Sequence, residues 1–430
     1  MCPMPANKIK EWRYKNMEQK LFSKDFTLVV IGQIISLFGN AAIRFALPLY
    51  LLNQTGSSAL YGTVTACAFI PAILLSPIGG IMADRVNKRN IMVFLDFFTA
   101  AVIMVFSLYI NDGNLVLLTA AALMLLYGIA GAYQPSVQAS IPALVCPAHS
   151  MAANSIINTV SSFSALLGPV LGGILYSAYG LLPVLWVCII CFFLSAVMEL
   201  FICIPSAGQR PGSSLRATVK KDFTESLRFI REEKPVIWKV LFIICGINLF
   251  LSSMIVVGLP YLVTEVLPLD AAWANKLCGF AQGALAAGGL TGGISAGIFS
   301  QKLTIRKSGY LLMICAGCVF LTGIALAVFS SGISGYLVLT LCCFTVMIFS
   351  TIFSVQMMSF VQTETPPELI GKVIAVILTV SMCTQPLGNA FYGVLFEICH
   401  GNEFAVILFS GTVSFLIAVN AVKVLKTGVL

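Results

Sequence analysis

The sequence predicts an all-α membrane protein of twelve transmembrane helices, arranged as two related six-helix bundles. Of its 430 residues, 59% are hydrophobic and only 10% are charged, whereas soluble domains carry about 25% charged residues. Apolar runs of roughly 20 residues, the length that spans a bilayer core, recur along the whole chain. Short motifs also repeat, in the same order, in the two halves of the sequence. Composition, run length and repetition together give this fold class.

Twelve apolar runs fall at 26–51, 59–82, 90–110, 115–138, 153–178, 182–204, 237–262, 277–299, 309–329, 336–358, 372–398 and 404–425. We number them spans 1 to 12. A polar segment, 1–25, precedes span 1, which is too long for a signal-peptide core, so we expect it to be retained. A long charged linker, 205–236, separates an N-terminal bundle, 26–204, from a C-terminal bundle, 237–425.

The repeats predict that the second bundle is a duplicate of the first. Three pairs lie in corresponding spans at offsets of 213, 218 and 217 residues: Gly79–Ala83 with Gly292–Ala296, Ser136–Gln138 with Ser354–Gln356, and Pro169 with Pro386. Matches in the same order at corresponding spans indicate a duplicated six-helix unit with pseudo-symmetric halves.

The basic residues predict the orientation. If the N-terminus is cytoplasmic, 23 of the 25 Lys and Arg residues lie in cytoplasmic segments, with Lys276 in an outer loop and Arg44 inside a span. The positive-inside rule therefore places both termini in the cytoplasm of a multi-pass inner- or plasma-membrane protein. The net charge of +8 is explained by these loops, so we expect the lipid bilayer, and no nucleic acid, as a partner.

The linker contains one amphipathic segment, Lys220–Lys234, with Phe223, Leu227 and Ile230 on one helical face. We expect a cytoplasmic surface helix that lies against the membrane or the bundle. A regulatory or partner-binding site is the alternative.

The polar chemistry of the chain argues against an enzyme. The chain has 14 cysteines, and two Cys-x-x-Cys pairs lie inside spans: Cys188 with Cys191, and Cys315 with Cys318. Buried thiols without further ligands are expected to be packing residues. His149 and His400 are the only histidines, both in loops, and we find no HExxH or P-loop motif. We therefore expect neither cofactor nor metal.

The loop between spans 2 and 3 holds the sharpest local motif. It runs from Gly80 through Asp84-Arg85 to Lys88-Arg89. Glycine allows close helix approach, and the basic residues face the anionic inner leaflet. The motif resembles the G-x-x-x-D-R-x-G-R/K-R/K loop of the major facilitator superfamily, with Asn87 where the family has Gly. The resemblance implies the major facilitator fold and a cytoplasmic latch, whose residues would be Gly80, Asp84, Arg85, Lys88, Arg89 and Asp96.

Span 5 holds a second motif, Gly168-Pro169-Val170-Leu171-Gly172-Gly173. Small residues permit close packing and proline bends a helix, so an ordinary kinked helix is one interpretation. The motif also resembles the G-P-x-x-G-G core of drug–proton antiporters, although Ser164 stands where an upstream glycine is usual. Together with Ala153-Asn154-Ser155 and the Pro366–Val373 segment, the chain resembles the macrolide-efflux and enterobactin-exporter branch.

Ionisable residues within spans are costly in lipid, and Arg44, Asp96 and Glu199 are considered for function. Arg44 in span 1 is expected to line a cavity and attract an anionic group, or else to reach the outer interface. Asp96 in span 3 is expected to pair with Arg85 or Arg89 in the latch, or to take up a proton. Glu199, near the inner end of span 6, is expected to be solvated at the interface.

The candidate substrate cavity is lined by polar residues of several spans: Gln33, Asn40, Arg44, Gln134, Gln138, Asn248, Gln282, Gln356, Gln385 and Asn389. Interhelical packing is the alternative for each. Phe makes up most of the 11% aromatic residues, so the cavity should suit a bulky amphipathic solute. Span 1 contains no acidic residue, and the residue that binds a coupling proton is left unassigned.

These features predict a secondary active transporter that works as a monomer by alternating access. The resemblance implies proton-coupled efflux of a hydrophobic or amphipathic small molecule, such as a drug, a macrolide-like or a siderophore-like compound. Import or flipping of a metabolite or lysolipid is the rival within the same fold. A non-transporting sensor would require a larger soluble domain than the linker offers.

Overall fold

The computed structural model describes residues 21–111, 114–146, 149–204, 224, 227–299, 305–328, 332–366 and 369–427. Within these ranges the chain is almost entirely helical. Twelve helices are long and apolar enough to cross a membrane. The predicted all-α class with twelve spans is thereby confirmed.

The helices are numbered in chain order: α1 Lys24–Thr55, α2 Ser58–Arg85, α3 Lys88–Tyr109, α4 Leu115–Leu144, α5 Ser150–Tyr179, α6 Leu181–Leu200, α7 Pro235–Val266, α8 Ala271–Ile298, α9 Ser308–Val328, α10 Gly332–Glu364, α11 Ile370–Ile398 and α12 Glu403–Thr427. Helix α7 contains two π-helical stretches, Ile247–Ser252 and Leu262–Val266. We call the end at which α1 begins the terminal side, and the end at which α1 stops and α2 starts the distal side.

Local sequence signals fix several helix ends. The Asn87 side chain accepts a hydrogen bond from the backbone N–H of Arg89 at 3.1 Å and caps α3. Asn114 caps α4 in the same way through Leu117. Gly180, at φ +78° between α5 and α6, adopts a conformation that other residues rarely accept. The departure from the family pattern at Asn87 therefore has a structural reason, because Asn is a strong N-cap residue.

The chain divides into two compact units. The first unit contains Met1–Arg44, Ala68–Gly168 and Gly180–Pro211, and the second contains the rest, including Phe45–Cys67 and Pro169–Tyr179. The distal parts of α1, α2 and α5 thus group with α7–α12. The bundle boundaries predicted from sequence, at 204 and 237, stay a prediction.

Each unit contains a close helix pair built on the repeated glycines. In the first unit, a Cβ on Gly79 of α2 would lie 2.5 Å from Cα of Ala132 in α4. In the second, a Cβ on Gly292 of α8 would lie 3.0 Å from Cα of Ile348 in α10. Only glycine permits these approaches, so the duplicated motif corresponds to a duplicated packing contact.

The described part of the linker ends in a short π-helical turn, Phe229–Glu233. Phe229 and Ile230 are buried, whereas Arg228 and Glu232 form an exposed ion pair at 2.9 Å. That hydrogen bond raises the pKa of Arg228. Ile230 of the predicted apolar stripe is buried, Phe223 lies outside the described residues, and the amphipathic linker helix stays a prediction.

Candidate functional site

The first unit contains a buried chain of polar side chains from α1, α4 and α6. The Nε2 atom of Gln33 donates to the Tyr133 hydroxyl at 2.5 Å, and that hydroxyl donates to Oε1 of Glu199 at 2.7 Å. Gln33 and Glu199 are both fully buried. Gln33 is therefore part of an interhelical network, and the expectation that Glu199 is solvated at the interface is wrong.

Asp96 of α3 extends this chain. Its Oδ1 atom accepts a hydrogen bond from the Ser36 hydroxyl at 3.1 Å, whereas the Ser195 hydroxyl donates to the Gly32 carbonyl at 3.1 Å. Ser36 follows Gln33 by about one helical turn on α1. Asp96 is 2% exposed, so α1 contacts one buried carboxyl group directly, that of Asp96, and reaches a second, that of Glu199, through Gln33 and Tyr133.

Three oxygens of this cluster have no hydrogen-bond partner among the described residues: Asp96 Oδ2, Glu199 Oε2 and Gln33 Oε1. A buried acceptor without a donor is costly. We call the five residues Gln33, Ser36, Asp96, Tyr133 and Glu199 the carboxyl cluster.

The proposed latch lies on the terminal side, and only part of it is described. Asp84 and Arg85 belong to the last turn of α2, but their side chains lie outside the described part of the structure. The guanidinium of Arg89 donates to the Leu200 carbonyl at the end of α6, and not to Asp96. Lys88 and Gly80 are half-buried. The pairing of Asp96 with Arg85 stays a prediction, and that with Arg89 is not formed.

The Gly-Pro motif of α5 lies at two helix crossings. Within the first unit, Gly168 packs against Ala41 of α1, with so little room that an added Cβ would collide with the Ala41 Cβ. Within the second unit, Gly173 packs against Gly279 of α8, whose Cα would be 3.0 Å from an added Cβ. Pro169 lies inside the helix between them and Gly172 is buried. The motif therefore serves close packing, and its antiporter role stays a proposal.

On the terminal side of the Gly168–Ala41 crossing, α1 and α5 form an apolar groove of about 340 Å³. Its lining residues are Ile34, Phe38, Thr159, Val160, Phe163, Ser164 and Leu167. Phe163 is exposed, with half of its side chain accessible. Aromatic and aliphatic walls with two hydroxyls suit an amphipathic molecule.

Arg44 lies three residues beyond Ala41 in α1. Its guanidinium carbon stands 3.7 Å from the ring centre of Tyr127, which in turn packs edge-to-face with Phe69 at 5.2 Å. Its Nε atom is buried without a hydrogen-bond partner among the described residues. A guanidinium stacked on an aromatic ring keeps donors available for an anionic or carbonyl group.

The second unit contains a neutral polar cluster between α7 and α11. The Asn248 amide donates to the Ser381 carbonyl at 3.2 Å, and the Ser253 hydroxyl is 3.1 Å from the Gln385 carbonyl. Asn389 is fully buried, and neither of its amide atoms has a partner among the described residues. We call Asn248, Ser253, Ser381, Gln385 and Asn389 the amide cluster; Asn248 lies within the π-helical stretch Ile247–Ser252 of α7 and Ser253 directly follows it.

The remaining predicted cavity residues are dispersed. Gln356 is buried and accepts from the Ser308 hydroxyl at 2.5 Å. Asn40, Gln134 and Gln282 are half-buried and Gln138 is exposed. The structure thus brings together some of the predicted residues in two internal clusters, and whether the others contact a substrate stays a prediction.

The distal side of the second unit contains contacts that were not predicted. Oε2 of Glu397 in α11 accepts from the hydroxyls of Ser57 and Ser58 and from the N–H of Ala59, at 3.0, 3.3 and 3.3 Å. It caps the first turn of α2, where a negative charge is favourable. One turn further, an added Cβ on Gly62 would lie 2.8 Å from Cα of Gly393.

A matching contact joins α1, α5 and α8 on the same side. The Asn53 amide donates to the Asn275 amide oxygen at 2.7 Å and to the Tyr176 hydroxyl at 3.1 Å. Sequence alone offers only weak signals for these contacts, a Ser pair after Gly56 and an acid at the end of span 11.

The Cys-x-x-Cys pairs make packing contacts. The Cys188 thiol donates to the Gly39 carbonyl at 3.4 Å and Cys315 to the Val346 carbonyl at 3.6 Å. Within the described residues no group of three or more His, Cys, Asp or Glu residues is placed to hold a metal ion.

The comparisons with known proteins agree with this fold. The Major Facilitator Superfamily profile matches residues 29–388. The chain is 22% identical to macrolide efflux protein A of Streptococcus pyogenes over 95% of this chain and 96% of that protein. It is 22% identical to the multidrug efflux pump Tap of Mycolicibacterium fortuitum, over 86% and 88%.

Among solved structures, a point mutant of the nucleoside transporter NupG superimposes with a TM-score of 0.74 at 14% identity, covering 93% of this chain and 99% of that one. At this identity the likeness concerns the fold alone. The family match covers most of the chain and agrees with twelve helices able to span a membrane. The chain therefore belongs to the Major Facilitator Superfamily and is a multi-pass membrane transporter.

Proposed function

We propose that the chain is a proton-driven exporter of hydrophobic or amphipathic compounds in the cell membrane, with both termini in the cytoplasm. The groove between α1 and α5 supports the proposed class of substrate. It offers two phenylalanines for apolar surface and two hydroxyls for orientation, and Arg44 lies beyond its distal end. The names of the relatives, a macrolide exporter and a multidrug pump, support the same substrate class.

The distal contacts support alternating access. A carrier must break its closure on one side before substrate leaves there. We expect the Glu397 cap on α2 and the Gly62–Gly393 and Gly173–Gly279 crossings to separate together when the distal side opens. Replacing Glu397 by Gln removes the charge but keeps a hydrogen-bond acceptor, so we expect faster opening of the distal side with the protein still folded.

The direction of transport is tested with membrane vesicles and a radiolabelled macrolide as the probe. An exporter accumulates the macrolide in everted vesicles that are energised with an acidic lumen. Accumulation in right-side-out vesicles alone contradicts export and favours the import of a metabolite or lysolipid.

The groove is tested by Phe163→Ala, with Phe98→Ala as the matched control. Phe98 lines another apolar groove, of about 370 Å³, between α3 and α4. We expect Phe163→Ala to raise the half-saturating macrolide concentration about tenfold, a loss of ~1.4 kcal/mol of contact, and Phe98→Ala to leave it unchanged. Equal effects of both variants would contradict substrate binding in the groove between α1 and α5.

The latch is tested by Asp84→Asn. If Asp84 and Arg85 hold the cytoplasmic side closed in one state, the variant inserts normally but transports more slowly. Unchanged flux would contradict the latch.

A further inference from the structure

We propose that Asp96 and Glu199 form the proton-binding site of this transporter, with Ser36, Gln33 and Tyr133 as the polar groups around them. This inference rests on the proposed proton-driven export and names the groups that perform it. From the sequence the residue that binds a coupling proton was left unassigned, with proton uptake at Asp96 as an alternative to pairing, because span 1 lacks an acid and Glu199 was expected at the interface.

Both carboxyl groups are buried. Asp96 is 2% exposed and Glu199 is fully buried, in the body of α3 and at the end of α6. An ionised carboxylate at such a place loses its water shell and costs several kcal/mol unless a cation or several donors replace it. Two neighbouring carboxylates also repel each other, so ionising both at once costs additional free energy.

Each carboxyl group has few hydrogen-bond partners. Among the described residues Asp96 receives one hydrogen bond, from the Ser36 hydroxyl, and Glu199 receives one, from the Tyr133 hydroxyl. Each keeps one buried oxygen without a partner among the described residues. A proton on either oxygen creates a donor, and the unpartnered Gln33 Oε1 is a neutral acceptor in the same cluster.

Among the described residues, few charged or titratable groups lie around the cluster. Helix α1 contributes the neutral Gln33 and Ser36, α4 contributes Tyr133, and α6 contributes Glu199 and the Ser195 hydroxyl. The closest described cation along α3 is Arg89, about 10 Å from Asp96 by helix rise, and it binds the Leu200 carbonyl. Asp84 and Arg85 of α2 have side chains outside the described part of the structure.

The polar groups beside the two carboxyls come from neighbouring turns of α1. Ser36 donates to the Asp96 carboxyl, and Gln33, one turn earlier, donates to the Tyr133 hydroxyl, which donates to the Glu199 carboxyl. The two acids therefore share one set of polar neighbours, in which a proton can bind to either carboxyl.

The position of Arg89 links the two acids to the latch region. Arg89 donates to the carbonyl of Leu200, the residue next to Glu199. When the latch region of α2 and α3 moves, this cation is the described group best placed to approach Glu199 and favour its ionised form. Proton release from the pair is thereby linked to the state of the terminal side.

The site is tested on the full-length protein by infrared difference spectroscopy between about pH 5 and about pH 9, a range wide enough for the titration of a buried carboxyl group. We expect a carboxylic C=O band that disappears over this range in the wild type and is reduced in Asp96→Asn and in Glu199→Gln. Glu232→Gln, an exposed acid of the linker, is the matched control and keeps the band. An unchanged band in both site variants overturns the proposal.

Transport in proteoliposomes completes the test. Both site variants should lose accumulation of a macrolide driven by an acidic lumen at least tenfold and should keep macrolide counterflow, which needs no net proton movement. Wild-type accumulation without any gradient dependence contradicts proton-driven export, whereas gradient-driven accumulation that persists in both variants contradicts only this site. Thermal melting of the variants close to that of the wild type separates either result from misfolding.

Discussion

The first unit places polar groups around two buried carboxylic acids, whereas the second places amides and hydroxyls in a cluster between α7 and α11. In the carboxyl cluster Ser36 bonds Asp96 and Tyr133 bonds Glu199, and the amide cluster contains Asn248 and Asn389. The two units nevertheless share the glycine contacts at Gly79–Ala132 and Gly292–Ile348. Duplication has thus preserved helix packing and not charge, and we propose that proton coupling belongs to the first unit.

The largest effect is expected when the first unit's cluster is made as neutral as that of the second. In the double variant Asp96→Asn/Glu199→Gln, gradient-driven macrolide accumulation should fall at least tenfold and become independent of external pH. Because the two acids act on one proton, the double variant should be no worse than the poorer single variant, which is strong non-additivity. Accumulation rates of the four proteins in proteoliposomes check this, and additive losses would mean that the acids act separately.

The converse change places an acid in the second unit's cluster. Asn389 is fully buried with both amide atoms unpartnered among the described residues, so Asn389→Asp should be tolerated only while the new carboxyl is protonated. We expect a Tm lowered by several degrees at about pH 8 and restored at about pH 5, because ionisation in this place is costly. Asn248→Asp, at a half-buried position, is the control and should respond less. A pH-independent Tm for Asn389→Asp would mean that the site is accessible to water.

A smaller effect is expected when Glu199 loses its hydrogen-bond donor. Tyr133→Phe removes the hydroxyl that bridges Gln33 and Glu199 and leaves both without that partner, at a cost of about 1–3 kcal/mol. Gradient-driven transport should slow severalfold while counterflow changes little. Tyr127→Phe keeps the ring beneath Arg44 and serves as the control at the other tyrosine of α4. Equal slowing of both transport modes would show a structural role for Tyr133 alone.

The smallest effect is expected for a neutral hydrogen bond of the second unit. Ser308→Ala removes the bond to Gln356, which is worth about 1 kcal/mol, and should leave the pH dependence of transport unchanged. Thermal melting and a transport profile against pH measure both quantities. A shifted pH profile would contradict the proposal that proton coupling belongs to the first unit.

The fold could be predicted from the sequence because the length of each apolar run and the motif within it are recognised one helix at a time. Sequence reasoning singled out Asp96 and Gln33 but not Tyr133, and it misplaced Glu199, because a tyrosine and an acid near a helix end give no sign of which neighbour they face. It missed the Glu397 cap on α2 for the same reason, since residues 340 positions apart meet only in the folded bundle. Asn87 appeared as a deviation from the family motif until its role as an N-cap was visible.

Coupling of substrate transport to proton movement is the central claim. The direct measurement is macrolide accumulation in proteoliposomes that contain the wild-type protein, with an imposed acidic lumen and with the gradient collapsed by an ionophore. We predict accumulation that requires the acidic lumen, is abolished by the ionophore and is lost in Asp96→Asn and Glu199→Gln. Accumulation that is the same with and without the gradient would contradict the account.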